Sequence, residues 1–362
     1  MMTISHVLPG ETGGDVTWFA RLNAFEQQET LRQVRFKRTH WPGLENGRYA
    51  KLPQHTYPLI LPKGHLDKAF YPPIAGAILD HLKKEEIALH AEAHHLRSSQ
   101  VACLNFLFPL HEDLALASAI FRSLIPGLQA VTNIEFEHTG PKKAQAEVTR
   151  WLGEPPNGKR GQNRTSIDAA IFWTDTASQQ RATLVEWKYT ERNYGVCSAY
   201  SRASKAEKAR CEGLNVWENP NPAEQCLLCV GLPARRRRYW EHMGSAGIVL
   251  KAFQGARGCP FQGPFYQLMR QFMLAAYLRQ AGVVDQAEVL SLSFAGNTSL
   301  ETLPTQLRPL GENSLLRAWN KTLRANAPPL LHLTAEALAQ AIGQAEEADP
   351  AWRAYLKERY GI

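Results

Sequence analysis

The sequence predicts an α/β fold: a mixed central β-sheet flanked by helices, with core elements in the order helix, three strands, helix, strand. Three observations carry that expectation. Short runs rich in β-branched and aromatic residues lie at 130–137, 166–173, 184–189 and 287–294. A helix-patterned stretch at 265–280, opened by Pro264 and followed by Gly282, separates the third run from the fourth. The composition, 44% hydrophobic and 21% charged over 362 residues, suits an ordinary globular chain able to bury a sizeable core.

Taken in order, residues 1 to about 70 hold Pro9, Pro42, Pro53, Pro58 and Pro62, which interrupt any long helix. They are expected to form an irregular N-terminal arm, anchored by burial of Trp18, Phe19, Trp41 and Tyr49. Ala75 to Ala93 spaces Ile78, Leu82 and Leu89 as one face of a helix, with Lys83, Lys84, Glu85 and Glu86 on the wet side. A serine near Ser98 caps the next helix, which Pro109 should break; another then runs from Glu112 to just before Pro126. Ala130–Glu137 reads as the first core strand, apolar at Val131, Ile134 and Phe136. Ser166–Trp173 and Leu184–Glu191 are joined by the polar stretch Thr174–Gln180, short enough to close a β-hairpin. In 265–280, Leu268, Phe272, Ala275 and Leu278 form a core stripe. Ala287–Phe294 supplies the following strand. Ser314–Leu323, Ala335–Ala345 and Pro350–Tyr360 are helix-like, with Leu330–Leu333 a short strand. The expected organisation is an arm and helix over 1–95, a core over 96–295 with a cysteine- and arginine-rich insertion at about 192–262, and a helical C-terminal extension over 296–362.

The hairpin strands carry charges where a structural strand would have Val or Thr. With the apex near Ala177, Asp168 falls roughly opposite Glu186, and the period of two puts Lys188 on the face of Glu186. Two carboxylates that close repel unless a cation lies between them, and all-oxygen ligation suits a hard ion such as Mg²⁺. A lysine one pleat further on can position or activate a water beside that ion. These are the components of metal-assisted phosphodiester hydrolysis.

The spacing of Asp168, then Glu186-x-Lys188, resembles the PD-(D/E)xK nuclease superfamily. More closely, Asn163–Asp168, Glu186–Glu191 and Ser98-Ser99-Gln100 are similar to bacterial restriction endonucleases of that superfamily, over about residues 90 to 295. Ile167 stands where the motif's name has proline. The resemblance implies a restriction-endonuclease-like core and a Mg²⁺-dependent endodeoxyribonuclease, Mn²⁺ being an alternative metal, with Asp168 and Glu186 as ligands and Lys188 beside the water. It makes Glu137 a further candidate ligand, because the superfamily places another acidic residue before the Asp; Glu135 shares its face and is the rival. The helix after the Glu-x-Lys strand often presents a polar residue to the metal site, for which Gln267 is the first choice and Arg270 the second. Double-stranded DNA is then the substrate, a homodimer an expectation from cutting two strands, and a cognate methyltransferase the associated partner. A repair enzyme or exonuclease of the same fold is the alternative, or a non-catalytic DNA-binding protein stabilised by a cysteine metal site.

Lys plus Arg exceed Asp plus Glu by seven, which favours a polyanionic partner. Arg192, Arg202, Lys205, Lys208 and Arg210 are interleaved with Tyr194 and Tyr200, and Arg235–Arg238 precede Tyr239 and Trp240. Both clusters, with the polar loop Gly153–Asn163, have the composition of a nucleic-acid groove and equally of a solvated surface. His90, His94 and His95 read as polar surface or phosphate contacts more readily than as metal ligands. Cys226-x-x-Cys229, with Cys211 and Cys259, would complete four ligands for Zn²⁺ or an iron–sulfur cluster, Cys197 and His242 being spares; free buried cysteines are the competing reading. No signal-peptide pattern opens the chain and no apolar run approaches membrane-spanning length, so a cytoplasmic location without membrane contact is expected.

Overall fold

The computed structural model describes residues 17–50, 52–156, 158, 163–230 and 236–362. Pro9, residues 157 and 159–162 of the polar loop, and Arg235 fall outside these residues. A small hairpin of β1 (Gly47–Tyr49) and β2 (Leu52–Tyr57) precedes a central sheet of β3 (Leu128–His138), β4 (Ile167–Asp175), β5 (Gln180–Lys188), β6 (Gln286–Ser293) and β7 (Leu330–Thr334). The five strands lie in sequence order; β3, β4 and β5 are antiparallel neighbours, and β6 and β7 continue the sheet in parallel. Helices of eight or more residues are α1 (Ala24–His40), α2 (Ala75–Lys84), α3 (Ser99–Glu112), α4 (Leu114–Phe121), α5 (Gln145–Leu152), α6 (Lys205–Glu212), α7 (Phe265–Gln280), α8 (Ala335–Gln344) and α9 (Pro350–Tyr360).

Strand alternation divides the interior into two cores. On β5, Val185 and Trp187 face one core with α3, α4, α8 and α9, whereas Ala182 and Leu184 face the other with α5 and α7. Burial on both faces explains why the central strands read as nearly continuous apolar runs. Among the described residues no helix is long and apolar enough to cross a membrane.

Three expectations need correction. The N-terminal arm is not irregular throughout, because the proline-free stretch between Pro9 and Pro42 forms α1, started by an Asn23–Glu26 capping box. Its helical period is hidden because its buried face is mostly polar: Glu26, Glu29, Thr30, Gln33 and Lys37 beside Val34 and Phe36. The helix expected over 75–93 stops at Lys84, where Glu86 turns left-handed at φ 52°, so His90 and His94 are not a helical pair. Pro109 does not break α3. Proline there leaves the Asn105 carbonyl without its N–H four residues on, and the Trp352 indole N–H of α9 donates to that carbonyl instead, at 2.9 Å.

The residues beyond 295 give the sheet its edge strand β7 and the first core its α8 and α9. Asn105 ties three distant segments together: its amide accepts from the Tyr71 N–H and donates to Ala69 O and to the Tyr360 hydroxyl.

Candidate active site

Pairing of Ala169 with Val185 sets Asp168 beside Glu186 at the open end of the β4–β5 hairpin. The Trp187 backbone N–H donates to Asp168 Oδ2 at 2.8 Å, fixing the carboxylate against the neighbouring strand. Because Val185 and Trp187 enter the first core, alternation sends Glu186 to the opposite face, towards α7. There Gln267 and Gln271, one helical turn apart, donate to Glu186 Oε1 and Oε2 respectively. Lys188 shares that face and places Nζ 2.5 Å from Glu186 Oε1. Glu186 is only 1% exposed and Lys188 8%.

Glu137 lies near the end of β3 with φ 47°, a left-handed backbone that costs a residue with a Cβ about 1–2 kcal/mol. Its carboxylate is held at both oxygens, by Gln100 Nε2 at 2.7 Å and by the Ser166 hydroxyl at 2.5 Å. Strain of this kind persists where surrounding contacts over-determine it.

Burial pushes the Asp168 carboxyl well above the usual carboxylate range, and the Glu186 charge adds to this while Lys188 opposes it. Glu186 is raised for the same first reason, with Lys188 pulling it back. Lys188 is desolvated too, yet Glu186, Glu191 and Asp168 more than offset that and strengthen its hold on its proton. A buried carboxylate and a half-buried one thus face one ammonium, leaving negative charge for which a cation is the natural partner. Among the described residues no three His, Cys, Asp or Glu side chains already come together as a metal-holding group. The pair still fits Mg²⁺ by donor chemistry, since that ion commonly takes one or two carboxylates from the protein and the rest of its oxygens from water and phosphate.

These groups open on a cleft of about 710 Å³. Glu137, Asp168, Glu186, Lys188, Glu191 and Gln267 line it together with residues 88–92, His95, Arg97 and Ser98–Gln100. His90 Nε2 lies 2.7 Å from Ser98 Oγ, and His94 turns away to the Arg48 carbonyl at 3.3 Å. Glu135 does not join the cleft: it meets His138 Nδ1 at 2.7 Å in a separate cavity behind Glu137. Arg270 is also elsewhere, donating to Thr165 Oγ1 at 3.0 Å and lying 3.8 Å from Glu154.

Sequence reasoning did not single out Gln271 or Ser166. The four-residue spacing from Gln267 was the available signal for Gln271; none pointed to Ser166, whose role comes from the β3–β4 pairing. Parts of the basic clusters serve the fold. Arg192 pairs with Glu26 of α1, Arg237 is buried and donates to Gly153 O and Asn163 O, and Tyr194 is buried with its hydroxyl on Ser291. Arg202, Lys205 and Arg210 remain exposed on and beside α6.

The cysteines converge differently from the expected set. Cys197, Cys211, Cys226 and Cys259 line one small apolar void, and Cys229 contacts Cys226 without lining it. His242 is remote from them, stacked on Trp151 with ring centroids 3.7 Å apart.

A family model for proteins described as Restriction Endonuclease associating with ARP, REase-ARP, matches residues 31–361. The chain belongs to that family. REase-ARP membership places it among restriction endonucleases, which are nucleases and therefore hydrolases, with DNA as the substrate class. The REase-ARP match begins within α1 and runs through α9, so it takes in the sheet, the cleft and both cores. No curated protein and no solved structure matches the chain.

Proposed function

We propose that this REase-ARP protein is a PD-(D/E)xK endodeoxyribonuclease that hydrolyses double-stranded DNA with Mg²⁺, or Mn²⁺ in its place. The observation that carries the reading is the juxtaposition of Asp168, Glu186 and Lys188 at the mouth of one cleft, with the lysine ion-paired to the glutamate. Asp168 and Glu186 would hold the cation, which supplies charge neutralisation at the scissile phosphate and eases deprotonation of water. Gln267 and Gln271 fix the plane of the Glu186 carboxylate. Asp168 is fixed by the Trp187 N–H, and Glu137, clamped by Gln100 and Ser166, stands ready to complete the set from the β3 side. Lys188 positions the attacking water and stabilises charge that develops on the phosphate. Two such centres acting at one site make a homodimer the working assembly, with a cognate methyltransferase protecting host DNA.

The test is cleavage of supercoiled plasmid and phage DNA, methylated and unmethylated, with Mg²⁺ or EDTA, by wild type, Glu186→Ala and Lys188→Ala. Cutting should be confined to wild type with Mg²⁺, while all three proteins keep one circular-dichroism spectrum. Equal cutting by all three would refute the assignment of the centre.

A further inference from the structure

Cys226-Leu227-Leu228-Cys229 forms a tight turn in which the Cys229 backbone N–H donates to the Cys226 carbonyl at 2.9 Å. The turn sets the two thiols beside each other, and neither is in a disulfide. A turn of this kind keeps its first and last Cα atoms within about 7 Å, which overlaps the roughly 4.4–6.8 Å that a disulfide spans. The two thiols differ in access. Cys226 is partly exposed and opens on the void of about 20 Å³, whereas Cys229 is fully buried. A void of that size takes about one water-sized molecule, which admits a small oxidant and excludes a peptide thiol. Cys197, Cys211 and Cys259 line the same void, but Cys229 is the cysteine that the turn's backbone hydrogen bond holds against Cys226.

We propose that Cys226 and Cys229 are a peroxide-responsive dithiol, Cys226 attacking and Cys229 resolving. The Cys226 sulfur takes one oxygen of hydrogen peroxide as the O–O bond breaks; water leaves with the thiol proton, and Cys226 becomes a sulfenic acid. The Cys229 sulfur then displaces that hydroxyl, which departs as a second water with the Cys229 proton, and the S–S bond forms. Two thiols lose two electrons and one peroxide becomes two waters. Closing the bond shortens a contact that the turn has already made, so little backbone movement is needed.

The experiment treats the reduced full chain with a few equivalents of hydrogen peroxide, counts free thiols by maleimide mass labelling and maps the linkage by non-reducing peptide analysis. Two of the six thiols should disappear, as one 226–229 linkage that dithiothreitol reverses. Cys229→Ser should stop at a sulfenic acid on Cys226 that dimedone traps. Cys226→Ser and, should serine perturb the apolar surroundings, Cys226→Ala should leave the remaining thiols unmodified across the same range, with an unchanged Tm. Linkage of another pair, undiminished peroxide uptake without Cys226, or stoichiometric zinc or iron shielding these thiols in the purified protein would overturn the assignment.

Discussion

Glu186 is a buried charge at a strand position, and its three partners determine what it can do. Gln267 and Gln271 hold one oxygen each and Lys188 sits against Oε1, so the carboxylate cannot rotate without breaking a hydrogen bond. Groups that orient a ligand in this way typically cost about 10–100-fold in metal affinity or activity when removed. Gln271→Ala should accordingly raise the Mg²⁺ concentration for half-maximal cleavage within that range; an unchanged requirement would show that Gln267 suffices. Lys188→Ala should lower kcat by about 10²–10⁴-fold, with DNA affinity measured in EDTA nearly unchanged. At this scale the acidic pair and the lysine were legible in the sequence, because a period of two and a short turn fix who faces whom. Gln271 and Ser166 were not, since their meaning depends on which helix face and which strand end dock against the pair. Arg270, one residue short of Gln271, points to Glu154 and Thr165 instead.

At the scale of elements, α1 and α3 break the ordinary rules of patterning and show why. The buried face of α1 is polar because it meets the end of β5 and α9 through hydrogen bonds: Tyr189 donates to Glu29 at 2.7 Å, Gln33 donates to Tyr189 at 2.9 Å and to the Arg359 carbonyl at 2.8 Å. An apolar-stripe search is blind to such a helix. Burial raises the Glu29 carboxyl above the ordinary glutamate value, so the folded state favours its protonated form. That contribution is complete below the unfolded value of about 4.3 and is lost as pH rises through the folded value. Glu29→Gln should therefore gain in Tm relative to wild type as pH is raised from about 4 to 7; a constant difference would mean that Glu29 is not titrating differently on folding.

Pro109 and Trp352 form the second case. Trp352→Phe should cost about 1–3 kcal/mol by leaving the Asn105 carbonyl buried without a donor, and much less in a Pro109→Ala background, where a helical N–H returns. A urea-unfolding double-mutant cycle measures that coupling. Additive losses would show that the carbonyl is not what links them.

For the whole molecule, the central strands were readable as short apolar runs, and α7 and α9 as spaced stripes bounded by Pro264 and Gly282 and by Pro350 and Gly361. The joining of residues before 95 and after 296 to one core with the sheet was not, since no local pattern records which distant segments meet. The same limit applies to the arginines, whose charge is visible but whose partners are not. With Arg192 paired to Glu26 and Arg237 buried in the fold, the exposed Arg202, Lys205 and Arg210 are the side chains to test against phosphate. Replacing all three with Gln should weaken DNA binding and make the log–log salt dependence shallower by up to about 3, near 0.9 for each phosphate no longer neutralised. Anisotropy titrations across a KCl series would reveal it; an unaltered slope places DNA on another surface.

Trp352 and Tyr360 reach back to the helix that packs beneath the candidate catalytic hairpin, and Pro350–Tyr360 are translated after every strand of the sheet. On the ribosome, the helix behind Asp168 and Glu186 therefore waits for α9 before its proline-exposed carbonyl is satisfied. A nascent chain built this way completes the support of its candidate centre only once residues 350–360 have emerged, so a product interrupted before them should carry the hairpin over an unfinished helix.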